Sequence, residues 1–285
     1  MTRLISFLAH AVYMGTPLLF GTVGEIQNEK AGHLNLGVEG TMAMGACAGF
    51  MVAYKTGSLW LSILAAFLMG ALVSLIYAFL TITMMANQNV TGLTLTIFGT
   101  GLSNFIGEQM ISASPTGNLK LPDGVMSSLK NIDIPLLSKI PVLGEVLFSQ
   151  NIFTYLSIVI AVIMFIYLKK TKVGLNLRTI GENPAVADAV GISVVKYKYI
   201  NVLIGGGICG IGGAFCSMVI NGGGWMANSV KGLGWIAVAL VIFAVWNPAR
   251  AIYGAYIFGA FMVLKYYFPK NLGFTVPESF FDMLP

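Results

Sequence analysis

Stretches with hardly a charge follow one another along this chain, at 4–23, 34–54, 59–86, 90–107, 152–168, 200–220, 232–247 and 249–265. A helix that crosses the hydrocarbon core of a bilayer needs about 20 apolar residues, with a range of about 17–25. A soluble domain needs about a quarter of its residues charged to coat its surface. Here 16 Lys and Arg and 11 Asp and Glu are all that the chain offers, 9% of its residues against 56% hydrophobic. Mean hydropathy is +0.82. These numbers exclude a soluble enzyme and a disordered or fibrous protein. The sequence predicts an all-α polytopic membrane protein with about eight transmembrane helices in one domain over 1–285. Segment 59–86 is long enough to tilt or to reach into water. Segment 232–247 is short for a crossing and predicts a broken or tilted helix. Segment 4–23 lacks the charged leader and small-residue cleavage site of a signal peptide.

Orientation follows from Lys and Arg in short loops. Loop 169–199 carries Lys169, Lys170, Lys172, Arg178, Lys196 and Lys198 against Glu182 and Asp188, which places it in the cytoplasm. Loop 108–151 is then external. Its charges are mixed (Lys120, Lys130 and Lys139 against Glu108, Asp123, Asp133 and Glu145), and with Pro115, Pro122, Pro135 and Pro141 it reads as a folded cap. Residues 24–33 and the turn at Asn87 fall inside, and both termini outside.

Several chemistries are excluded by what surrounds their motifs. The net charge of +5 is spread along the chain, without the aromatic and basic interleaving of a nucleic-acid groove. Cys47, Cys209 and Cys216 lie in apolar segments with no C-x-x-C pair, and His10 and His33 are far apart, so no metal site is expected. Gly205-x-Gly207-x-x-Gly210 matches a dinucleotide fingerprint but lies inside a span and follows no strand. Small residues at four-residue spacing, Gly45 with Gly49 and Gly206 with Gly210 and Ala214, read instead as close helix packing. No phosphate-binding G-x-x-x-x-G-K-[ST] run occurs, so this chain binds no ATP and carries no cofactor; any ATP is bound by a partner.

Polar residues at membrane depth are the functional candidates. Glu39 lies in Asn35-Leu36-Gly37-Val38-Glu39-Gly40, with Glu25, Glu29 and Lys30 before it. These acids either bond to neighbouring backbone at the inner interface or line the inner end of a pathway, with Asn35, Gly37 and Glu39 as its residues. Gly37 and Gly40 permit irregular backbone there. In Asn87-Gln88-Asn89-Val90-Thr91-Gly92-Leu93-Thr94 the residues Asn87, Thr91 and Thr94 share one helical face, with Asn89 beside them. Such a face suits a small neutral polar solute; alternatively the threonines bond back to their own helix. Ser103 and Asn104 follow on the same span. Asn221-Gly222-Gly223-Gly224-Trp225 must break any helix, and Asn228-Ser229 follow; Trp225 and Trp235 are expected to anchor at the interface.

The loop 169–199 contains Gly181-Glu182-Asn183-Pro184-Ala185-Val186-Ala187-Asp188-Ala189-Val190-Gly191. Asn183 suits an N-cap, Pro184 the first helical position and Gly191 the residue beyond the end. They bracket a helix of about two turns with Val186, Ala189 and Val190 on one side. This is a small apolar knob ringed by basic residues, fit for a groove in a partner or for rest on the membrane surface.

The chain resembles the permease subunits of ATP-binding-cassette (ABC) importers in the branched-chain amino acid, ribose and nucleoside superfamily, nearest to its simple-sugar and nucleoside branch. The resemblance rests on Gly24-Glu25, Ala31 to Gly40, Asn89 to Leu95, Gly181 to Pro184 with Gly191-Ile192, and Gly232 to Leu240 with Trp246-Asn247-Pro248. It implies that the capped helix, with Gly181, Glu182, Asn183, Pro184, Val186, Asp188 and Gly191, docks on an ATPase subunit and carries its motion inward. It implies further partners: a second, non-identical permease and an external lipoprotein that delivers solute, met by loop 108–151 and residues 221–231. It places the chain in a bacterial-type plasma membrane. It also implies one more span beyond Phe280-Phe281-Asp282-Met283-Leu284-Pro285, where this chain stops. The function expected is alternating access for nucleosides, with simple sugars such as ribose next. An ion-coupled transporter using Glu39 or Glu25 is the rival reading, and a receptor subunit that moves no solute is another. No paired acid and base or activated nucleophile is placed for an enzyme.

Overall fold

The computed structural model describes residues 2–114, 117–133, 143–267 and 283. Pro115, Pro135, Lys139, Pro141, and the Phe280–Asp282 and Leu284–Pro285 stretches of the sequence reading lie outside them. The chain is built of helices α1 (Thr2–Lys30), α2 (Val38–Thr56), α3 (Leu59–Ala78), α4 (Gln88–Ala113), α5 (Asp123–Ser128), α6 (Leu143–Leu147), α7 (Ile152–Lys170), α8 (Lys172–Glu182), α9 (Pro184–Ala189), α10 (Val194–Phe215), α11 (Leu233–Phe243) and α12 (Pro248–Tyr267). Single π-turns extend α3 over Phe79–Thr83 and α10 over Cys216–Ile220. The β-structure described is a two-residue antiparallel ladder, β1 (Ile132–Asp133) with β2 (Ser149–Gln150), and an isolated bridge from Lys120 to Gly224.

The protein is an all-α membrane protein. Four helices are long and apolar enough to cross a bilayer, at Arg3–Lys30, Leu59–Thr83, Ile152–Lys170 and Val194–Ile220. Helices α2, α4 and α12 are of similar length, with 19, 26 and 20 residues, but carry more glycine and polar groups. The segment read as 232–247 holds an 11-residue helix, α11, too short for the hydrocarbon core at about 1.5 Å per residue.

The centre of the bundle is α10, packed on α1, α2 and α3. A β-carbon on Gly210 would overlap the Ala66 carbonyl of α3, and one on Gly45 of α2 would overlap Gly210. The backbones therefore touch, which is how helices gain packing where lipid offers no hydrophobic drive. The run Gly205-x-Gly207-x-x-Gly210 belongs to this packing surface. Buried hydroxyls add interhelical bonds: Ser62 Oγ donates to Gly49 O at 2.7 Å and Ser217 Oγ to Ala46 O at 2.9 Å. The outward face of α3 carries Leu64, Leu68 and Leu72, each more than half exposed, as a lipid-facing stripe requires.

Lys30, Lys169, Arg178 and Arg250 meet around one cavity at one end of the bundle, here the basic end. At the opposite end the described residues of 108–151 form a cap. Leu121 N–H donates to Gly223 O at 2.8 Å and Trp225 N–H to Leu119 O at 3.1 Å, so the cap is tied to the break after α10.

Candidate functional site

Between α1 and α2 the chain runs without helix over 31–37, and residues Ala31, His33, Asn35 and Gly37 are buried. Irregular backbone inside a membrane protein must have its polar groups satisfied from within. Side chains do this here. Glu25 Oε1 accepts Asn35 N–H at 2.7 Å, and Glu25 Oε2 accepts Asn28 Nδ2 at 2.8 Å. Gln88 Oε1 accepts Leu34 N–H at 2.9 Å. Asn35 Oδ1 accepts Gly37 N–H at 2.9 Å. The carbonyls of Leu34 and Leu36 receive Tyr77 Oη at 2.7 Å and Thr96 Oγ1 at 2.9 Å. Asn35 thus holds the loop, and Gly37 caps α2.

Glu39, in the first turn of α2, reaches across to the start of α11. Its Oε1 accepts Gly232 N–H at 2.8 Å and its Oε2 accepts Gly234 N–H at 2.7 Å. A carboxylate at a helix N-terminus satisfies orphan amides and complements the dipole. This is what lets α11 begin inside the protein: the chain descends from the capped end over 221–232 without helix, and only then starts α11.

The predicted polar face of α4 divides. Asn87 is the N-cap, its Oδ1 accepting Asn89 and Val90 N–H at 3.0 and 3.1 Å. The hydroxyls of Thr91 and Thr94 donate to the Asn87 and Val90 carbonyls, each at 2.8 Å. Thr91 is buried, while Asn87, Asn89 and Thr94 are exposed. A polar cavity of about 200 Å³ opens higher on α4, with Glu39, Thr100, Ser103, Asn104, Asn228 and Lys231 in its wall. The sequence reading missed Thr100 and Lys231. A lone lysine one residue before an apolar segment was the available signal.

Trp225 is not an interfacial anchor. It is buried against Phe50, ring centroids 5.4 Å apart, and its indole lies where a β-carbon on Gly107 would stand. Trp235 is 40% exposed.

At the basic end the local reading of 181–191 holds in detail. Asn183 Oδ1 accepts Val186 N–H at 3.2 Å, Pro184 opens α9, and Gly191 turns the chain with φ of +80°. Val186 and Val190 are 52% and 69% exposed while Ala187 is buried, so the knob points outward. Glu182 and Asp188 are exposed beside it. The sequence did not separate α8, which Thr171 caps by accepting Gly174 N–H at 3.0 Å. Gly181, in its last turn, lies against the Lys30 carbonyl and Gly32.

Among the described residues no group of His, Cys, Asp and Glu is arranged to hold a metal. No solved structure matches the chain. Residues 7–284 match the family described as branched-chain amino acid transport system, permease component. NupC of Lactococcus lactis, a nucleoside ABC transporter permease, is 33% identical over 98% of this chain and 88% of its own length. NupQ of Bacillus subtilis, a guanosine ABC transporter permease, is 34% identical over 90% of this chain and 81% of its own. TsgC13 of Haloferax volcanii, an ABC transporter permease assigned by name to glucose, is 37% identical over 89% of this chain and 75% of its own. The chain belongs to this family of permease components: it is a multi-pass membrane subunit of an ABC transporter and not an enzyme.

Proposed function

We propose that this chain is one of two non-identical permeases of a nucleoside importer in the plasma membrane. The observation that carries the reading is similarity to the nucleoside permease NupC over 98% of the chain. The basic end faces the cytoplasm by the bias of Lys and Arg. There α9, with Asn183, Pro184 and Val186, docks on an ATPase subunit that binds and hydrolyses ATP. The rigid contact of Gly181 with Lys30 supports transmission of that movement to the 31–37 loop, hence to Asn35, Gly37, Glu39 and the first turns of α4 with Asn87, Asn89, Thr91 and Thr94. The opposite end, with its cap, receives an external lipoprotein carrying the solute. Transport needs only that solute and delivery protein bind the outward-open and inward-open states with different affinities.

The test is uptake of labelled guanosine or uridine by cells with the gene deleted and restored, with unlabelled ribose as competitor. Loss on deletion, recovery on restoration and indifference to ribose are expected. Nucleoside uptake unchanged by deletion overturns the substrate. The 37% identity to TsgC13 supports a second reading, a sugar such as glucose; labelled glucose in the same cells distinguishes it.

A further inference from the structure

Lys231 stands at a depth where a lone ammonium has no place among acyl chains. Helix α4 runs from Gln88 to Ala113, so Thr100 and Asn104 lie about 18 and about 24 Å along it, near its middle. Asn104 and Asn228 clamp each other: Asn104 Nδ2 donates to Asn228 Oδ1 at 2.8 Å, and Asn228 N–H donates to Asn104 Oδ1 at 2.9 Å. This pins the irregular 221–232 segment at that depth. Lys231 follows, next to the Gly232 amide held by Glu39. Asn228 and Lys231 are exposed, and Thr100 and Asn104 are half-buried. Charge and irregular backbone are tolerated at mid-membrane only inside protein or along water. This side of the molecule therefore faces a pathway and not lipid.

Two further observations point to a ligand there. Asn228 and Lys231 are both held in left-handed backbone, φ of 53° and 52°, a conformation that non-glycine residues keep where surrounding structure imposes it, often at functional sites. The cavity beside them, about 200 Å³, falls below the roughly 300–1,000 Å³ of a complete small-molecule site. It is the size of half a site. Its free groups include two donors: Asn228 Nδ2 and the Lys231 ammonium make no hydrogen bond among the described residues. Ser103 Oγ donates to Ala43 O and Thr100 Oγ1 to Thr96 O, which leaves their lone pairs as acceptors.

We propose that Thr100, Ser103, Asn104, Asn228 and Lys231 form this chain's half of a solute-selecting station, and that they read the hydroxyls of a sugar ring. The second permease supplies the other half. The chemistry is shared by a nucleoside's ribosyl group and by a free sugar. The inference rests on the transport reading above, and the pathway residues it names lie about two to four turns above the Asn87–Thr94 stretch.

The assembled transporter in membrane vesicles tests it. Cys47, Cys209 and Cys216 are all buried, so Thr100→Cys introduces the accessible thiol of this chain. A charged, membrane-impermeant methanethiosulfonate is expected to label Thr100→Cys and to spare Leu68→Cys on the apolar face of α3. The solute that the unaltered transporter takes up should slow the labelling several-fold, and the free nucleobase should not. Absence of labelling in every nucleotide state overturns the aqueous face. Labelling that no transported solute slows, or that free base slows equally, overturns the station. Lys231→Met gives an independent reading: the complex still assembles and KM for uptake rises several-fold, and an unchanged KM counts against the proposal. If the unaltered transporter carries neither nucleoside nor sugar, the proposed function fails by itself, and the labelling of Thr100→Cys still decides whether this face is aqueous.

Discussion

Gly181 touches the Lys30 carbonyl so closely that a β-carbon there would overlap the oxygen. The last turn of α8 thus rests on the last residue of α1. Lys30 leads directly into the 31–37 loop, which is fastened to α4 through Gln88 and to α1 through Glu25. Movement of the exposed knob on α9 has a short, side-chain-free contact through which to reach the interior.

Gly181→Val should therefore break transmission without dismantling the bundle. Uptake is expected to fall by about tenfold, equivalent to about 1.4 kcal/mol, while the complex still elutes intact and ATPase activity remains. Parallel uptake and hydrolysis assays in proteoliposomes check this, and normal uptake by the variant would remove the contact from the mechanism.

The knob itself is tested from its outer side. Val186 is 52% exposed in the isolated chain, and burying a valine in a partner's groove contributes about 1.5–3 kcal/mol. Val186→Asp should lose the ATPase subunit on co-purification. Replacing Glu182 and Pro184 together should instead keep the complex but let hydrolysis proceed without uptake. Intact coupling in that double variant argues against α9 as the docking helix.

Glu39 supplies both acceptors for the Gly232 and Gly234 amides. In Glu39→Ala each orphaned amide costs about 1–3 kcal/mol, so the purified complex should melt at lower temperature. Glu39→Gln should fall between, because it keeps one acceptor and turns a donor toward the other N–H. A melting temperature unchanged by Glu39→Ala would show that α11 does not depend on this carboxylate.

His33, in the 31–37 loop, is buried, and this burial first, then Lys198, pushes its imidazole down to about 4. The loop holds it neutral. Where the loop opens, the ring regains its ordinary value near 6.5. The open form then binds more protons between these values, so the closed loop is fully stable above about 6.5 and weakens as pH falls toward about 4. Thermal melts of the complex from pH 7 to pH 5 should show the loss, and His33→Gln should flatten it. Identical pH profiles for the two proteins would contradict this.

Local rules reach as far as local contacts. Asn183, Pro184 and Gly191 could be placed from sequence because capping is settled within a few residues. The all-α membrane character followed from the scarcity of charge. Glu39 could be singled out as an acid among apolar residues, but its partners stand more than 190 positions later in the chain, and no spacing rule reaches that far. Thr94 illustrates a second limit. Periodicity groups it with Asn87 and Thr91, yet the packing of Gly92, Leu95 and Gly99 decides which side of α4 turns inward. Trp225 shows a third: the interface and a glycine-lined recess both accept an indole, and Gly107 provides the recess.

At Gly45, Gly70 and Gly210 the contacts of α10 with α2 and α3 are backbone against backbone, and this has a mechanical consequence. Side chains can change rotamer when two helices slide, but a carbonyl seated against an α-carbon has no such play. The three helices must turn as one stiff block. The give has to come from the strap of residues 221–232, which has no helical ladder to break, and from the half-length rod α11 that follows it and is held to α2 by the two bonds to Glu39.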